Sequence, residues 1–292
     1  MTGRRASVPD VRDEILRGVA GKQVVACIVA DDDGLLAESD AAACEARALG
    51  LQVRRVRPDG RVRRGDEIVR FAGNAKQIVS AEDVLIGVLA KASGIATAAR
   101  RFVELAAGRP RIVSGAWKKM PSAQKEAIRR AVHVGGASCR ICERPFVYLD
   151  KNYIRILGGI AASLAAVTHL TDHEKVVQLK GRYQDIAREA TEAVRGGADL
   201  LHIDTGRHAD AGRVSDALTA RGLRHRVRLA FGGNIRLEDI AFLRSFDIDI
   251  LDIGRQIVDA PLLDMRMEVC AVQGERHAAE ELSGDAVVSS PA

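Results

Sequence analysis

Only nine of the chain's 44 basic residues are lysines, and four of those nine sit just past predicted strands. Lys118 and Lys119, preceded by Trp117, follow the run Arg111–Ser114. Asp150, Lys151 and Asn152 follow Pro145–Leu149, and Lys180 follows Lys175–Leu179. Loops are polar in any protein, but an arginine-rich chain gives no reason for its lysines to gather at one rim. Ammonium groups converging on one place could grip phosphates. Two glycine features point the same way. Gly232-Gly233-Asn234 and Gly254-Arg255 each join a strand to a helix. Glycine lets backbone approach a ligand closely, and a helix start offers free N–H groups to an anion. Asp204 ends the run Leu200–Asp204, where a carboxylate among cations and phosphates could hold Mg2+ or face a developing positive charge. His202, two residues earlier, points to the same side and reads as a packed or hydrogen-bonded interior residue.

The elements that must position these groups come in a regular series. Strands are expected at 111–114, 145–149, 175–179, 200–204, 227–231 and 248–253. Helices are expected between them near 122–134, 158–171, 183–196, 209–222 and 236–245. Six β/α units in succession predict a parallel sheet with crossover helices. An incomplete α/β barrel is the natural closure, with an open doubly wound sheet as runner-up. Reactive groups of such barrels gather where the strands end, with phosphates at the last two loops.

Before residue 109 the pattern differs. Strand candidates at 24–30, 51–56 and 67–71 alternate with helices at 37–49 and 80–107, the latter with Ser80 as N-cap and Asp83 at the third helical position. The fold class is therefore α/β: an N-terminal α+β sandwich over 1–108, joined by 265–292, plus a barrel over 109–264. The first ten residues and the stretch from Gly274 on lack apolar periodicity.

Composition narrows the function. The chain has 292 residues, 47% of them hydrophobic but only 3% aromatic, so its cores are aliphatic. The net charge of +5 is mild. Its densest basic stretch, Arg54–Arg64, carries no aromatic residue to stack on bases, which reads as a solvated face and not a nucleic-acid surface. No apolar run is long enough to span a bilayer. Five scattered cysteines and no recognisable leader point to a reducing cytoplasm. Cys139 and Cys142 form one CxxC without the second ligand pair a structural zinc site wants.

Six motifs in order carry a family resemblance. Arg57-Pro58-Asp59-Gly60-Arg61-Val62-Arg63-Arg64-Gly65-Asp66 resembles the "G-x-V-x-x-G-D" hairpin of the quinolinate phosphoribosyltransferases. Ser93-Gly94-Ile95-Ala96-Thr97 with Arg100-Arg101 resembles their "SGIAT-x-T-R-R" helix. Ala131–Gly136 resembles "AVR-x-GGG", Gly196–Asp204 resembles "AGAD-x-x-x-LDN", Phe231–Ile235 resembles "SGGI", and Gly254–Asp264 resembles "G-x-L-T-H-S-A-P-x-L-D". The resemblance spans about Val29 to Val269. It implies a type II phosphoribosyltransferase-like fold and a homodimer in which one subunit's sandwich covers the other's barrel mouth. It also implies transfer of phosphoribose from phosphoribosyl pyrophosphate, with Mg2+, to the nitrogen of quinolinate. Carried over residue by residue, it makes Asp204, Lys151 and Lys180 candidate catalytic groups, Asp204 also the metal ligand. Trp117, Lys118, Lys119, Arg140, Asp150, Asn152 and Asp83 become candidate substrate contacts. Gly232, Gly233, Asn234, Gly254 and Arg255 become the phosphate cradle.

The departures concentrate on the acceptor side. The family's "E-R" is Glu82-Asp83 here, its "T-R-K-T" is Ala116-Trp117-Lys118-Lys119, and its "N-H-R" is Ser138-Cys139-Arg140. Its "K-D-N-H" is Asp150-Lys151-Asn152-Tyr153, its "E-V-E" is Gln178-Leu179-Lys180, and the serine of "S-G-G" is Phe231. The expectation is a phosphoribosyltransferase with an altered pocket for an aromatic or heteroaromatic acceptor. The alternatives are ordinary quinolinate phosphoribosyltransferase activity, a molybdenum-transport-associated relative, or a non-catalytic protein that binds a phosphorylated ligand.

Overall fold

A computed structural model describes residues 10–275. Its elements in order are α1 (Val11–Ile15), β1 (Gln23–Ala30), β2 (Gly34–Leu36), α2 (Ser39–Ala48), β3 (Gln52–Val56), β4 (Gly60–Val62), β5 (Glu67–Asn74) and α3 (Ala75–Ala106). Then come β6 (Arg111–Val113), α4 (Lys125–Val134), β7 (Phe146–Leu149), α5 (Lys151–Leu157), α6 (Ile160–Ala166), β8 (Glu174–Leu179), α7 (Ile186–Arg195) and β9 (Leu200–Asp204). The series ends with α8 (His208–Thr219), β10 (Arg228–Gly232), α9 (Asp239–Leu243), β11 (Ile250–Asp252), α10 (Arg255–Val258) and β12 (Met265–Val272). The chain divides into two compact units: one holds residues up to Gly94 and from Pro261 on, the other Ile95–Ala260. The division falls inside α3; the change of periodicity at residue 109 marks the end of that helix.

The first unit is an α+β sandwich. Its antiparallel sheet has the order β12-β1-β5-β3, beside a β2-β4 ribbon. One face packs Ile28, Phe71, Leu85 and Leu89 into an aliphatic core. α3 starts five residues before the expected Ser80. The Gln77 backbone N–H donates to Asn74 Oδ1, and the Asn74 N–H donates to Gln77 Oε1, both at 2.9 Å. This reciprocal cap satisfies two otherwise orphaned donors, and Ser80 lies inside the helix. The edge strand β12 has an apolar, half-buried pattern that the sequence reading assigned only to a joined C-terminal segment.

The second unit is an incomplete barrel of six parallel strands, in the order β6-β11-β10-β9-β8-β7. Ser138 bridges Val113 in parallel on the free side of β6, so the open seam lies between that segment and β7. The strands read as near-continuous apolar runs because helices cover their outer faces while their inner faces meet. The helix expected over 158–171 is the shorter α6, and α5 precedes it where no helix was expected. Gly158 and Gly159 stand at φ 88° and 132°, outside helical space, and separate α5 from α6. α5 begins at Lys151 because Asp150 caps it, accepting from the N–H groups of Asn152 and Tyr153.

Candidate active site at the barrel mouth

The period of two along each strand sorts the barrel interior into rows. Val176 and Leu200 lie low, packed with Ile141 and Cys142. Gln178, His202, Ala230 and Ile250 follow in one register row. Asp204, Gly232 and Asp252 form the top row across β9, β10 and β11. The inward face thus turns from aliphatic to ionic at the strand ends.

Lys180, just past β8, places its ammonium 2.8 Å from Asp204 Oδ2 and also donates to the Asp204 carbonyl oxygen. Gln178 Nε2 donates to the same carboxylate oxygen at 2.6 Å. Burial opposes the charge on Asp204. The Lys180 and Gln178 hydrogen bonds outweigh it, and the carboxyl lies below its ordinary range. Lys118 leans over the same interior, its ammonium 5.6 Å from the centre of the Tyr148 ring. Lys151 opens α5, and its backbone N–H donates to Gln178 Oε1 at 2.9 Å. The ammonium groups of Lys118 and Lys180 and the backbone of Lys151 therefore border Gln178, Asp204 and Tyr148; Lys119 is exposed in the same short turn as Lys118.

A buried polar group lies beneath. His202 is 5% exposed, and its Nδ1 is 2.5 Å from the Tyr148 hydroxyl. Burial holds the imidazole below its ordinary pKa, against the pull of Asp252 and Asp204, and pushes the Tyr148 phenol up. Both groups are neutral near pH 7. His202 Nε2 stands 3.7 Å from Asp252 Oδ2, and the Gly115 N–H donates to Asp252 Oδ1 at 3.0 Å. Asp252 and Tyr148 are not among the site residues expected from the sequence, although both fall in expected strands. The signal that could have found them is their register: each sits on the inward face of its strand, on the side where β9 carries His202 and Asp204.

The glycine loops are built by close backbone packing. Gly206 N–H donates to the Gly232 carbonyl. A Cβ on Gly233, at φ +110°, would lie 2.6 Å from the Gly206 nitrogen. Asn234 takes a left-handed φ of 54°. Gly254 precedes the four-residue α10, where Arg255 is 82% exposed and pairs loosely with Asp259. This loop pair brings backbone to the mouth beside Asp204 and Asp252.

Other expected contacts are placed elsewhere. Trp117 turns its indole onto the Arg129 guanidinium, 4.4 Å from ring centre, and its Nε1 donates to the Cys139 carbonyl. Arg140 is anchored at the strand starts: its carbonyl accepts from Arg111 of β6, and its guanidinium lies over Phe146 of β7. Asp150 spends its carboxylate on the α5 cap, and Asn152 is the second residue of that helix. Asp83 lies on α3 in the first unit, paired with Arg12 at 2.5 Å. The donor set does not fit Mg2+ held by Asp204. One of its oxygens already serves Lys180 and Gln178, and no cluster of three His, Cys, Asp or Glu able to hold a metal occurs among the described residues. The CxxC is likewise two free, buried thiols.

This geometry has counterparts. Residues 10–93 match the model of the quinolinate phosphoribosyl transferase N-terminal domain, and residues 95–268 that of the C-terminal domain. A probable nicotinate-nucleotide pyrophosphorylase (carboxylating) of Archaeoglobus fulgidus is 27% identical over 251 residues, covering 85% of this chain and 95% of that protein. The human nicotinate-nucleotide pyrophosphorylase (carboxylating) is 26% identical over 206 residues, covering 70% of this chain and 68% of that protein. The crystal structure of nicotinate-nucleotide pyrophosphorylase from Pyrococcus furiosus superposes with a TM-score of 0.76 at 19% identity, covering 94% of this chain and 80% of that one. That from Francisella tularensis gives 0.75 at 20% identity, covering 91% of each chain. With both domain models matched in order along nearly all the described residues, the chain belongs to the quinolinate phosphoribosyl transferase family of phosphoribosyltransferases.

Proposed function

We propose that this protein transfers phosphoribose from phosphoribosyl pyrophosphate to a ring nitrogen of an aromatic or heteroaromatic acceptor less acidic than quinolinate. The observation that carries the reading is the Lys180–Asp204 clamp among the mouth lysines. In such a transfer the C1′–oxygen bond to pyrophosphate breaks, positive charge grows on the ribose, and the acceptor nitrogen closes on C1′. Lys118 and Lys151 supply cations to the departing pyrophosphate, and the Gly232–Asn234 and Gly254 loops offer backbone to the 5′-phosphate. Preorganised charge of this kind acts in the transition state without reorganising. A dicarboxylate such as quinolinate wants guanidinium forks, which a lysine cannot copy. Here Arg140 is held at the strand starts, and Trp117 is occupied by Arg129. We also propose that the protein acts as a homodimer in the cytoplasm, where its five free thiols stay reduced.

A second reading, ordinary quinolinate phosphoribosyltransferase activity, is favoured by the names of the relatives. One experiment separates the two. The protein is incubated with phosphoribosyl pyrophosphate, Mg2+ and quinolinate, and nicotinate mononucleotide is followed. The expected kcat/KM falls well below about 10⁴ M⁻¹s⁻¹, the lower end of the common enzyme range. Turnover at or above that value would assign quinolinate as the acceptor.

A further inference from the structure

The mouth holds two carboxylates in one register row, Asp204 on β9 and Asp252 on β11, with Gly232 between them. They differ in what they already serve. The charge of Asp204 is met by the Lys180 ammonium, with Gln178 on the same oxygen. Asp252 has no Lys or Arg partner among the described residues; it holds one backbone N–H, of Gly115, and faces His202. It is about a quarter exposed, open to whatever enters the barrel.

What lies behind Asp252 is built, not incidental. The Tyr148 hydroxyl reaches His202 Nδ1. With the hydroxyl donating, the single ring proton of a neutral imidazole sits on Nε2, an assignment from the hydrogen-bond pattern. That Nε2 is fully enclosed and has no hydrogen-bond partner, a state that is costly when left unmet. Its nearest carboxylate oxygen is Asp252 Oδ2, at 3.7 Å, and a closure of about 0.7 Å would make the bond. Gly232 makes room for this arrangement: a Cβ there would lie 2.7 Å from His202 Nε2. Three neighbouring strands thus carry mutually fitted residues, and the buried histidine is aimed at the carboxylate of that register row that has no cation among the described residues.

Resting on the phosphoribosyl-transfer reading above, we infer that Asp252 is the carboxylate facing the positive charge that develops at ribose C1′, with His202 and Tyr148 positioning it, while Lys180 has taken Asp204 out of that role. In the step concerned, pyrophosphate leaves with the electron pair of the C1′–oxygen bond, and the acceptor nitrogen donates the pair that forms the new bond. Asp252 transfers no proton in this step. As charge grows at C1′, the carboxylate is drawn toward it and is held in line by Gly115 N–H on one oxygen and His202 Nε2–H on the other.

The test compares two probes by titration calorimetry in the presence of pyrophosphate: ribose 5-phosphate, which is uncharged at the sugar ring, and a cationic iminoribitol 5-phosphate, which mimics the developing charge. The wild type should bind the cationic probe more tightly. In Asp252→Asn that preference should fall by on the order of 10²-fold, with ribose 5-phosphate affinity changed less than about threefold. His202→Leu should lose part of the preference, and His202→Gln, which can still present an N–H, should regain it; a merely structural role would move both probes alike. Asp204→Asn should leave most of the preference in place. If Asp252→Asn keeps the full preference, or Asp204→Asn alone abolishes it, the assignment of Asp252 is overturned. If the wild type binds neither probe, the phosphoribosyl-transfer reading itself falls, and this inference falls with it.

Discussion

The two ends of the barrel carry the same residue types and treat them in opposite ways. At the strand starts, Glu174 pairs with Arg228 at 2.8 Å, and Arg228 reaches Cys142 Sγ. Arg111 ties down the Ile141 carbonyl at 2.6 Å, and Arg224 bridges Asp247 and Asp249. Burial there pushes the Cys142 thiol up to about 12, which keeps it inert. Grooves of about 460 and 340 Å³ open on this end, and Arg224 and Arg228 in their lining are paired with Asp247, Asp249 and Glu174. At the strand ends, Lys118, Lys119 and Lys151 have no carboxylate partner within ion-pair distance among the described residues, Asp252 has no cation, and His202 Nε2 has no partner. Concavity and charge occur at both ends. Cations without an ion-pair partner among the described residues also occur at both ends, Lys175 and Arg226 among them at the strand starts; what marks the mouth is an enclosed His202 Nε2 without a partner beside a carboxylate, Asp252, that holds no cation.

Three changes would sharpen or break that contrast. The largest effect is expected at the mouth. Lys180→Met should cut phosphoribosyl transfer by roughly 10²-fold or more, the scale of losing one electrostatic stabiliser. Its unfolding free energy should move by no more than about 1 kcal/mol, because Gln178 still serves Asp204 and the pair is partly solvated. Loss of stability without loss of rate would make Lys180 a structural residue. At the other end the order reverses. Glu174→Ala leaves the Arg228 guanidinium half-buried and unpaired, so denaturant unfolding should show a loss of about 1–3 kcal/mol, with KM and kcat within twofold of wild type. The smallest effect concerns acid. The carboxyl of Asp204 is held below its ordinary range in the folded chain. Its contribution to stability is therefore present above the unfolded value of about 4 and is lost as pH falls through the lowered folded value. Asp204→Asn should flatten the stability–pH curve below about pH 4 and leave its shape unchanged above. An identical acid limb in the two proteins would show that the Lys180 clamp adds nothing to the fold.

Much of this was legible in the sequence because apolar periodicity is local. All six barrel strands appear within a residue or two of where their runs fall, and the lysine clustering survives as geometry. Capping was less legible. Asn74 with Gln77 outranks Ser80 because it satisfies two backbone donors at once, and Asp150 starts a helix where its loop position suggested a ligand. Arg140 and Trp117 were misplaced for a different reason. Motif position gives a residue's place along the chain but not which way a long side chain turns, and Phe146 and Arg129 decide that. Asp252 was missed because the expected strand 248–253 carries acids on both faces, Asp249 and Asp252, so alternation does not show which one faces inward.

β12 closes the sheet of the first unit against β1, so that Cys27 and Cys270, 243 positions apart, bring their sulfurs within 3.3 Å. β5 follows β1 closely in the chain and can flank one side of it early. Its other side must wait until β12 has been made. At about 5–20 residues per second, the 243 positions between the two cysteines correspond to roughly 12–50 s. For that interval an eight-residue, almost wholly apolar strand presents an open edge, the kind of template on which neighbouring chains pair. That edge therefore stays open while the intervening chain is made, and slower translation lengthens the exposure.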